Sequence, residues 1–170
     1  MPAFLVEDGT GVEDATSYVT EVYADDYLGA DWAADSNTKQ AALMGGTEYA
    51  DARWGGVLQG RPITSLQGLE LPRTALYDRY GTKIEGIPND WKKAVCLYAK
   101  EFLAGTLYPT PPSNNSKDVK KKKTVVGLIT TEVEYQGLAT AGSWLQFPLA
   151  DKFAKQYTNG ASSSGGVMRN

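Results

Sequence analysis

Residues 88–105, PNDWKKAVCLYAKEFLAG, decide the fold because they combine a helix start, an apolar stripe and a helix stop. Pro88 suits the first turn of a helix. Gly105 suits the residue just beyond its end. The apolar side chains that recur at the three- and four-residue spacing of one helix face are Trp91, Val95, Tyr98 and Phe102. We therefore predict a helix over residues 88–106 with these four side chains in the core.

Three further helices are predicted around this segment. The first covers residues 20–33 with Thr20 as its N-cap, the second covers 37–54, and the third covers 148–157 and opens at Pro148. The side chains that we expect these helices to place in the core are Tyr23, Tyr27, Leu43 and Trp54.

Two adjacent glycines, Gly45 and Gly46, lie in the middle of the second predicted helix. Each weakens a helix by about 1 kcal/mol relative to alanine. Either conformational freedom or the close approach of another helix would be a reason to keep them, and the sequence leaves both open.

The segments between the helices differ in composition. Residues 1–16 are predicted to be an extended N-terminal arm, and 55–88 an ordered excursion with a hairpin near residues 80–82. Residues 109–147 are predicted to be a loop and strand insertion, with the strand over 124–135. The Gly/Ser-rich residues 158–170 are predicted to form a flexible C-terminal tail.

The predicted architecture is therefore mainly α. It is a small bundle of three to four helices in one domain over residues 1–157, with a long ordered loop or hairpin excursion and one β-strand or β-hairpin element. The tail over residues 158–170 completes it.

Composition excludes several classes of function. The chain has no histidine and a single cysteine, Cys96, which excludes His-based triads, an intrachain disulfide and a cysteine zinc cluster. We expect no enzyme and no cofactor. The start of the chain lacks the features of a signal peptide, and no stretch reaches the ~20 apolar residues of a membrane span. We expect a soluble protein that is made in a reducing cytoplasm and does not bind membranes.

Four short motifs favour structural interpretations over functional ones. Residues 9–11, Gly-Thr-Gly, suit a turn and lack the Gly-Lys-Ser/Thr element of a phosphate loop. The adjacent acids Asp25 and Asp26 point to different sides of a helix, which favours a solvated face over a divalent-ion site. Cys96 falls on the apolar side of its helix and is predicted to be a core residue. Residues 114–116, Asn-Asn-Ser, fit a glycosylation sequon without a secretory signal.

Charge is divided unevenly along the chain, whose net charge is −3. Residues 1–90 contain 15 acidic and 6 basic residues, whereas residues 91–170 contain 5 acidic and 11 basic residues. The basic half includes Lys117 and the run Lys120, Lys121, Lys122 and Lys123. This run is compatible with a solvated strand entrance, with docking onto an acidic protein surface, or with phosphate contacts. The sequence leaves the three open.

Several short segments in a fixed order resemble the head–tail adaptor family of tailed phages, which is also called the head completion or connector family. The segments are residues 5–11 (LVEDGTG), 15–19 (ATSYV), 49–54 (YADARW), 60–63 (GRPI), 67–73 (QGLELPR), 77–81 (YDRYG) and 87–88 (IP). Similar sequences are also described as DnaT-like single-stranded DNA-binding proteins. The resemblance covers residues 4–157 and departs from the commoner pattern at Leu71, where relatives carry a tryptophan.

The resemblance implies a structural protein of the virion neck. Such proteins form a ring of twelve subunits between the portal and a downstream tail protein (a nozzle, tail terminator or stopper), and DNA passes through the channel without specific binding. They assemble in the host cytoplasm. The alternative function is a single-stranded DNA-binding module. The residues that we expect to dock onto the portal or another partner are Lys120, Lys121, Lys122, Lys123, Tyr157, Thr158, Val167, Met168 and Arg169.

Overall fold

The computed structural model describes residues 3–108, 122–126, 129–133 and 144–159. The chain divides into two compact units, one formed by residues 1–108 and 146–170 and the other by residues 109–145. Predicted sites at Asn114–Ser116, Lys117, Lys120, Lys121, Val167, Met168 and Arg169 lie outside the described residues.

The helices are α1 (Glu21–Leu28), α2 (Ser36–Trp54), α3 (Asn89–Leu103) and α4 (Pro148–Lys155). Short 3-10 turns follow α1 (Gly29–Trp32) and α2 (Gly55–Val57). The strands of the first unit are β1 (Arg61–Pro62), β2 (Arg73–Thr74), β3 (Leu76–Tyr77) and β4 (Lys83–Ile84). Strand β1 pairs with β2 and β3 with β4, both antiparallel. The predicted mainly α architecture with small β elements is confirmed.

The strand that was predicted over residues 124–135 is a hairpin in the structure. It consists of β5 (Lys122–Val126) and β6 (Ile129–Val133), antiparallel, with Lys122 opposite Val133 and Val126 opposite Ile129. The predicted β-strand or β-hairpin element is therefore confirmed in its hairpin form.

Side-chain caps start the first two helices, and Thr20 caps α1 as predicted. The hydroxyl of Thr20 accepts a hydrogen bond from the Tyr23 N–H at 3.2 Å, and the carboxylate of Asp35 accepts one from the Thr38 N–H at 3.1 Å. Helix α1 ends earlier than the predicted residue 33, because Gly29 has a positive φ of 62° and the chain then tightens into a 3-10 turn.

Helix α3 is the centre of the first unit. It packs against α1, α2 and α4, and no residue between Asp90 and Leu103 is fully exposed. The side chains of Trp91, Val95 and Tyr98 are completely buried, as predicted. Burying such side chains stabilises a fold by about 1.5–3 kcal/mol each, so α3 supplies much of the hydrophobic stabilisation.

Helices α2 and α3 approach each other as closely as glycine permits. A Cβ atom on Gly46 would lie 2.7 Å from the Ala99 nitrogen and 2.9 Å from the Val95 carbonyl oxygen, and one on Gly45 would overlap the Phe102 ring. Of the two reasons that the sequence left open for these glycines, close helix packing is the one that the structure supports.

The predicted core is correct in part. Leu43 is fully buried, whereas Tyr23, Trp54 and Phe102 are partly buried residues that pack against the core. Tyr27 was wrongly placed in the core, because its side chain is 36% exposed and stacks on Tyr23 at the surface. Only Ala24 of α1 is fully buried, and Tyr23 and Leu28 of this short helix pack against the edge of the core.

The excursion over residues 55–88 is ordered and anchored. Leu71 and Leu76 are fully buried. Leu71 occupies the position at which the resembling family has a tryptophan, and leucine fills a core site there. The hairpin that was predicted near residues 80–82 is confirmed as the β3–β4 pair, with Leu76 opposite Ile84 and Tyr77 opposite Lys83.

The contacts of the domain extend to Asn159, two residues beyond its predicted end at residue 157. Thr158 forms an antiparallel bridge with Leu58, and the Asn159 N–H donates to the Val57 carbonyl at 2.7 Å. Tyr157 is 4% exposed and Thr158 is 6% exposed. Both were expected to dock onto a partner, and this expectation is corrected: their side chains pack inside the domain because the end of α4 lies against the 3-10 turn after α2.

None of the helices in the described part of the chain is long and apolar enough to cross a membrane.

Replacing Gly46 by alanine tests the contact between α2 and α3. In an isolated helix this change would stabilise by about 1 kcal/mol. At Gly46 we expect a net destabilisation of about 1–3 kcal/mol, because the added methyl group would displace the α3 backbone. The measurement is urea unfolding monitored by circular dichroism. Gly56→Ala is the matched control, since nothing lies within 4 Å of its added Cβ. Equal stability of the two variants would contradict the close contact.

Candidate functional site

The Gly-Thr-Gly loop of the N-terminal arm binds the carboxylate of its own Glu7. One carboxylate oxygen of Glu7 accepts from the N–H groups of Gly9 and Gly11 at 2.9 and 2.8 Å, and the other accepts from Val12 at 2.7 Å. Glu7 is 2% exposed. The backbone donors that a phosphate would need are therefore already occupied by a side chain of the loop.

The acidic residues of α1 hold that helix to the start of α2. Asp25 forms an ion pair with Lys39 at 2.7 Å, and Glu21 accepts a hydrogen bond from the Ser36 hydroxyl at 2.7 Å. Asp26 is exposed. In the described part of the chain, no group of three or more His, Cys, Asp or Glu side chains is arranged to hold a metal ion.

Cys96 is a core residue, as predicted. Its side chain is completely buried, and burial raises the pKa of the thiol to about 12. The nucleophilic form of cysteine is the thiolate, so this thiol is unreactive near neutral pH.

Asp51, on α2, connects the helical core to the excursion. Its carboxylate accepts from the Tyr18 hydroxyl at 2.7 and 2.9 Å and from the Glu70 N–H at 3.1 Å. The Tyr18 hydroxyl in turn accepts from the Leu71 N–H at 3.0 Å. Burial raises the pKa of Asp51 to about 7, and this effect outweighs the hydrogen bonds that favour the carboxylate.

A cleft of about 500 Å³ opens beside Asp51, between α2 and the loop that connects β1 to β2. Its apolar lining comes from Ala52, Pro62 and Leu69, and Glu48 and Glu70 supply carboxylates at its rim. Glu70 also pairs with Arg73. We call this the acidic cleft. It combines apolar and charged groups.

A second polar network fixes α4 on α2 and α3. Arg53 pairs with Asp151 at 2.7 Å, and both groups are largely buried. Asp151 also accepts from the Tyr98 hydroxyl at 2.7 Å and from the Phe147 N–H at 3.0 Å. These bonds set the position of α4 and thereby the place where the chain leaves the domain after Asn159.

The turn between β3 and β4 presents an exposed aromatic ring on a rigid support. Asp78 Oδ1 accepts from the N–H groups of Tyr80 and Thr82, both at 2.8 Å, and Gly81 takes a positive φ of 81°. Tyr80 is 79% exposed, and the Arg79 guanidinium lies 4.9 Å from the centre of its ring. We call Arg79 and Tyr80 the hairpin tip. The sequence predicted a turn near residues 80–82 but did not single out Arg79 and Tyr80 as an exposed pair.

The described residues outside the β5–β6 hairpin carry a net negative charge. Residues 3–108 and 144–159 contain 17 acidic and 11 basic side chains. Five of those cations, which are Lys39, Arg53, Arg73, Lys83 and Lys93, form ion pairs with carboxylates. Lys122 and Lys123 of the predicted lysine run belong to β5. The acidic cleft and the hairpin tip both belong to the first unit. Of the predicted docking residues that the structure describes, Tyr157 and Thr158 belong to the first unit and Lys122 and Lys123 to the second.

The pH dependence of stability tests the buried carboxylate. The pKa of Asp51 is raised from 3.8 to about 7, so the folded state binds more protons than the unfolded state between about pH 4 and pH 7. The free energy of unfolding should therefore fall as pH rises through this window, by roughly 2–4 kcal/mol from this group.

Asp51→Asn should abolish that part of the pH dependence, because the amide oxygen can still accept hydrogen bonds but does not titrate. The measurement is urea unfolding at several pH values between 4 and 8. Asp26→Asn, at an exposed carboxylate of α1, is the control and should follow the parent. An Asp51→Asn profile that is parallel to the parent's would refute the raised pKa.

Comparison with known protein families identifies the family of this chain. The family described as "Putative DnaT-like ssDNA binding protein" matches residues 2–170. No curated protein and no solved structure matches the chain. The match spans almost the whole sequence, so the chain is a member of this DnaT-like family.

Proposed function

We propose that this protein is a structural, non-enzymatic adaptor in the neck of a tailed-phage virion. In this proposal twelve copies form a ring that docks onto the portal, receives a downstream tail protein (a nozzle, tail terminator or stopper) and lets DNA pass without specific binding. Assembly takes place in the host cytoplasm, and no membrane takes part. The ordered series of segments over residues 4–157 that resembles the adaptor family supports the proposal.

The charge of the described part is the observation that carries the proposal. With 17 acidic against 11 basic side chains over residues 3–108 and 144–159, this surface repels a polyanion. Binding of single strands relies on a basic groove that follows the phosphates. A net-acidic ring would instead let DNA slide through its channel.

The polar groups that the core buries also fit a structural role. Asp51 and Asp151 accept hydrogen bonds that join distant segments of the chain, and Glu7 holds the turn of its own loop. These hydrogen bonds give each carboxylate a part in the stability of the fold, and Asp51 in addition lines the acidic cleft.

Single-stranded DNA binding is the second candidate function. It is favoured by the family description and by the five lysines at Lys117 and Lys120–Lys123. The exposed ring of Tyr80 beside Arg79 would also suit the stacking of a base.

Replacing all four residues Lys120–Lys123 by glutamine separates the two functions. The change takes the net charge from −3 to −7. The adaptor function predicts weaker cosedimentation with the portal protein of the same phage, mostly at low salt, where the Debye length reaches about 30 Å at 0.01 M. Affinity for an oligothymidine should be negligible in both parent and variant.

The DNA-binding function predicts the opposite result. The parent would bind the oligonucleotide with an affinity that falls steeply with salt, and the slope of log K against log salt would decrease by about 0.7 for each phosphate contact removed. Portal binding would then be absent, and this outcome would refute the adaptor proposal. Portal binding that is the same in parent and variant would refute only the docking role of the lysine run.

Deleting residues 160–170 tests the C-terminal segment. The described contacts of the domain end at Asn159, so we expect thermal unfolding of the shortened chain to match the parent. We expect its binding to the portal to be lost. Normal portal binding by the shortened chain would show that this segment is not the anchor.

A further inference from the structure

We propose that copies of this chain associate by inserting the hairpin tip of one copy into the acidic cleft of the next. The inference rests on the proposed ring-forming function and adds to it a named contact between subunits. It follows from the shape, charge and rigidity of two surfaces that the fold leaves without another role.

The hairpin tip has the composition of a binding hot spot. Tyrosine and arginine are enriched among the residues that dominate the energy of protein interfaces. Tyr80 is the most exposed of the large hydrophobic side chains in the described part of the chain. Arg79 lies against its ring and belongs to none of the ion pairs found among the described residues.

The tip is also pre-organised. The Asp78 carboxylate receives two backbone N–H groups of the turn, and the Gly81 N–H donates to the Asp78 carbonyl at 3.0 Å. A further bond joins the Asp78 N–H to the Thr82 carbonyl at 3.0 Å. The turn is therefore ordered before it meets a partner, which lowers the entropic cost of binding.

The acidic cleft has the complementary features. At about 500 Å³ it falls within the 300–1,000 Å³ range of sites that enclose small ligands, so it can admit a tyrosine side chain with a guanidinium beside it. Ala52, Pro62 and Leu69 offer apolar contacts to a ring, and the exposed carboxylate of Glu48 offers a partner to Arg79, whereas Glu70 already pairs with Arg73.

A second copy of this chain is the occupant that these features favour. The lining of the acidic cleft includes neither Arg79 nor Tyr80, so one copy can use its tip and its cleft at the same time. Contacts between two different patches of the same molecule are heterologous, and they close into a ring when the rotation between subunits permits. A nucleic acid would meet the rim carboxylates unfavourably.

The test measures self-association of the full-length chain by sedimentation velocity at low salt, at concentrations up to about 1 mM so that a weak contact is populated. Tyr80→Ala and Arg79→Glu should each weaken association by about tenfold or more, the effect of a hot-spot residue. Glu48→Arg should weaken it by reversing the charge of the cleft.

The charge swap gives the most specific result. Combining Arg79→Glu with Glu48→Arg should restore association to within about threefold of the parent, because the pair is re-formed with its signs exchanged. Lys83→Glu, on the same hairpin, and Asp26→Arg, on α1, are matched controls, and both should associate like the parent. Thermal melts confirm that each variant is folded.

Three results would overturn the proposal. They are a parent chain that stays monomeric at the highest concentration, variants that associate like the parent, and a swap that fails to restore association. Tyr80→Ala that loses oligothymidine binding while associating normally would assign the tip to nucleic acid instead. Cosedimentation of the same variants with the portal protein distinguishes failure of this contact from failure of the adaptor function. If the variants still bind the portal but the contact between tip and cleft is refuted, the adaptor function stands without that contact.

Discussion

The close approach of α2 and α3 at Gly46 is the constraint on which the rest of the structure depends. Because no side chain separates the two helices there, Leu43 and Ala50 on one helix and Val95 and Ala99 on the other are completely buried. Helices α1 and α4 then pack against α3. A bulkier residue at the crossing would move both helices and every element that is attached to them.

Two buried carboxylates fix segments at the surface relative to the pair of helices α2 and α3. Asp51 holds the excursion through Tyr18 and the Glu70 backbone, and Asp151 holds α4 through Arg53 and the Tyr98 hydroxyl. Both networks attach directly to α2 or α3. The acidic cleft and the place where the chain leaves the domain are therefore fixed by the helix pair, which suits a protein whose proposed task is to hold other proteins in register.

The sequence predicts the features that depend on a local pattern of residues. It does not predict contacts between residues that are far apart in the chain. Periodicity and caps located the helices, because apolar spacing and capping residues act within a few positions of each other. Tyr27 has the helical spacing of a core residue but is not buried, because α1 is too short to enclose its side chain. Asp51 and Tyr18 are 33 residues apart, and Arg53 and Asp151 are 98 apart, so their pairing follows only from the assembled fold. The exposure of Tyr80 likewise depends on where the excursion settles.

Native-state hydrogen exchange tests most directly whether α3 is the central support of the fold. If it is, the amide protons of α3 between Val95 and Phe102 exchange only through global unfolding, with the free energy that denaturant unfolding gives for the whole domain. Those of α1 and the β3–β4 hairpin exchange at lower free energies. Exchange of the α3 amides well below the global value, while another helix stays protected, would contradict the account.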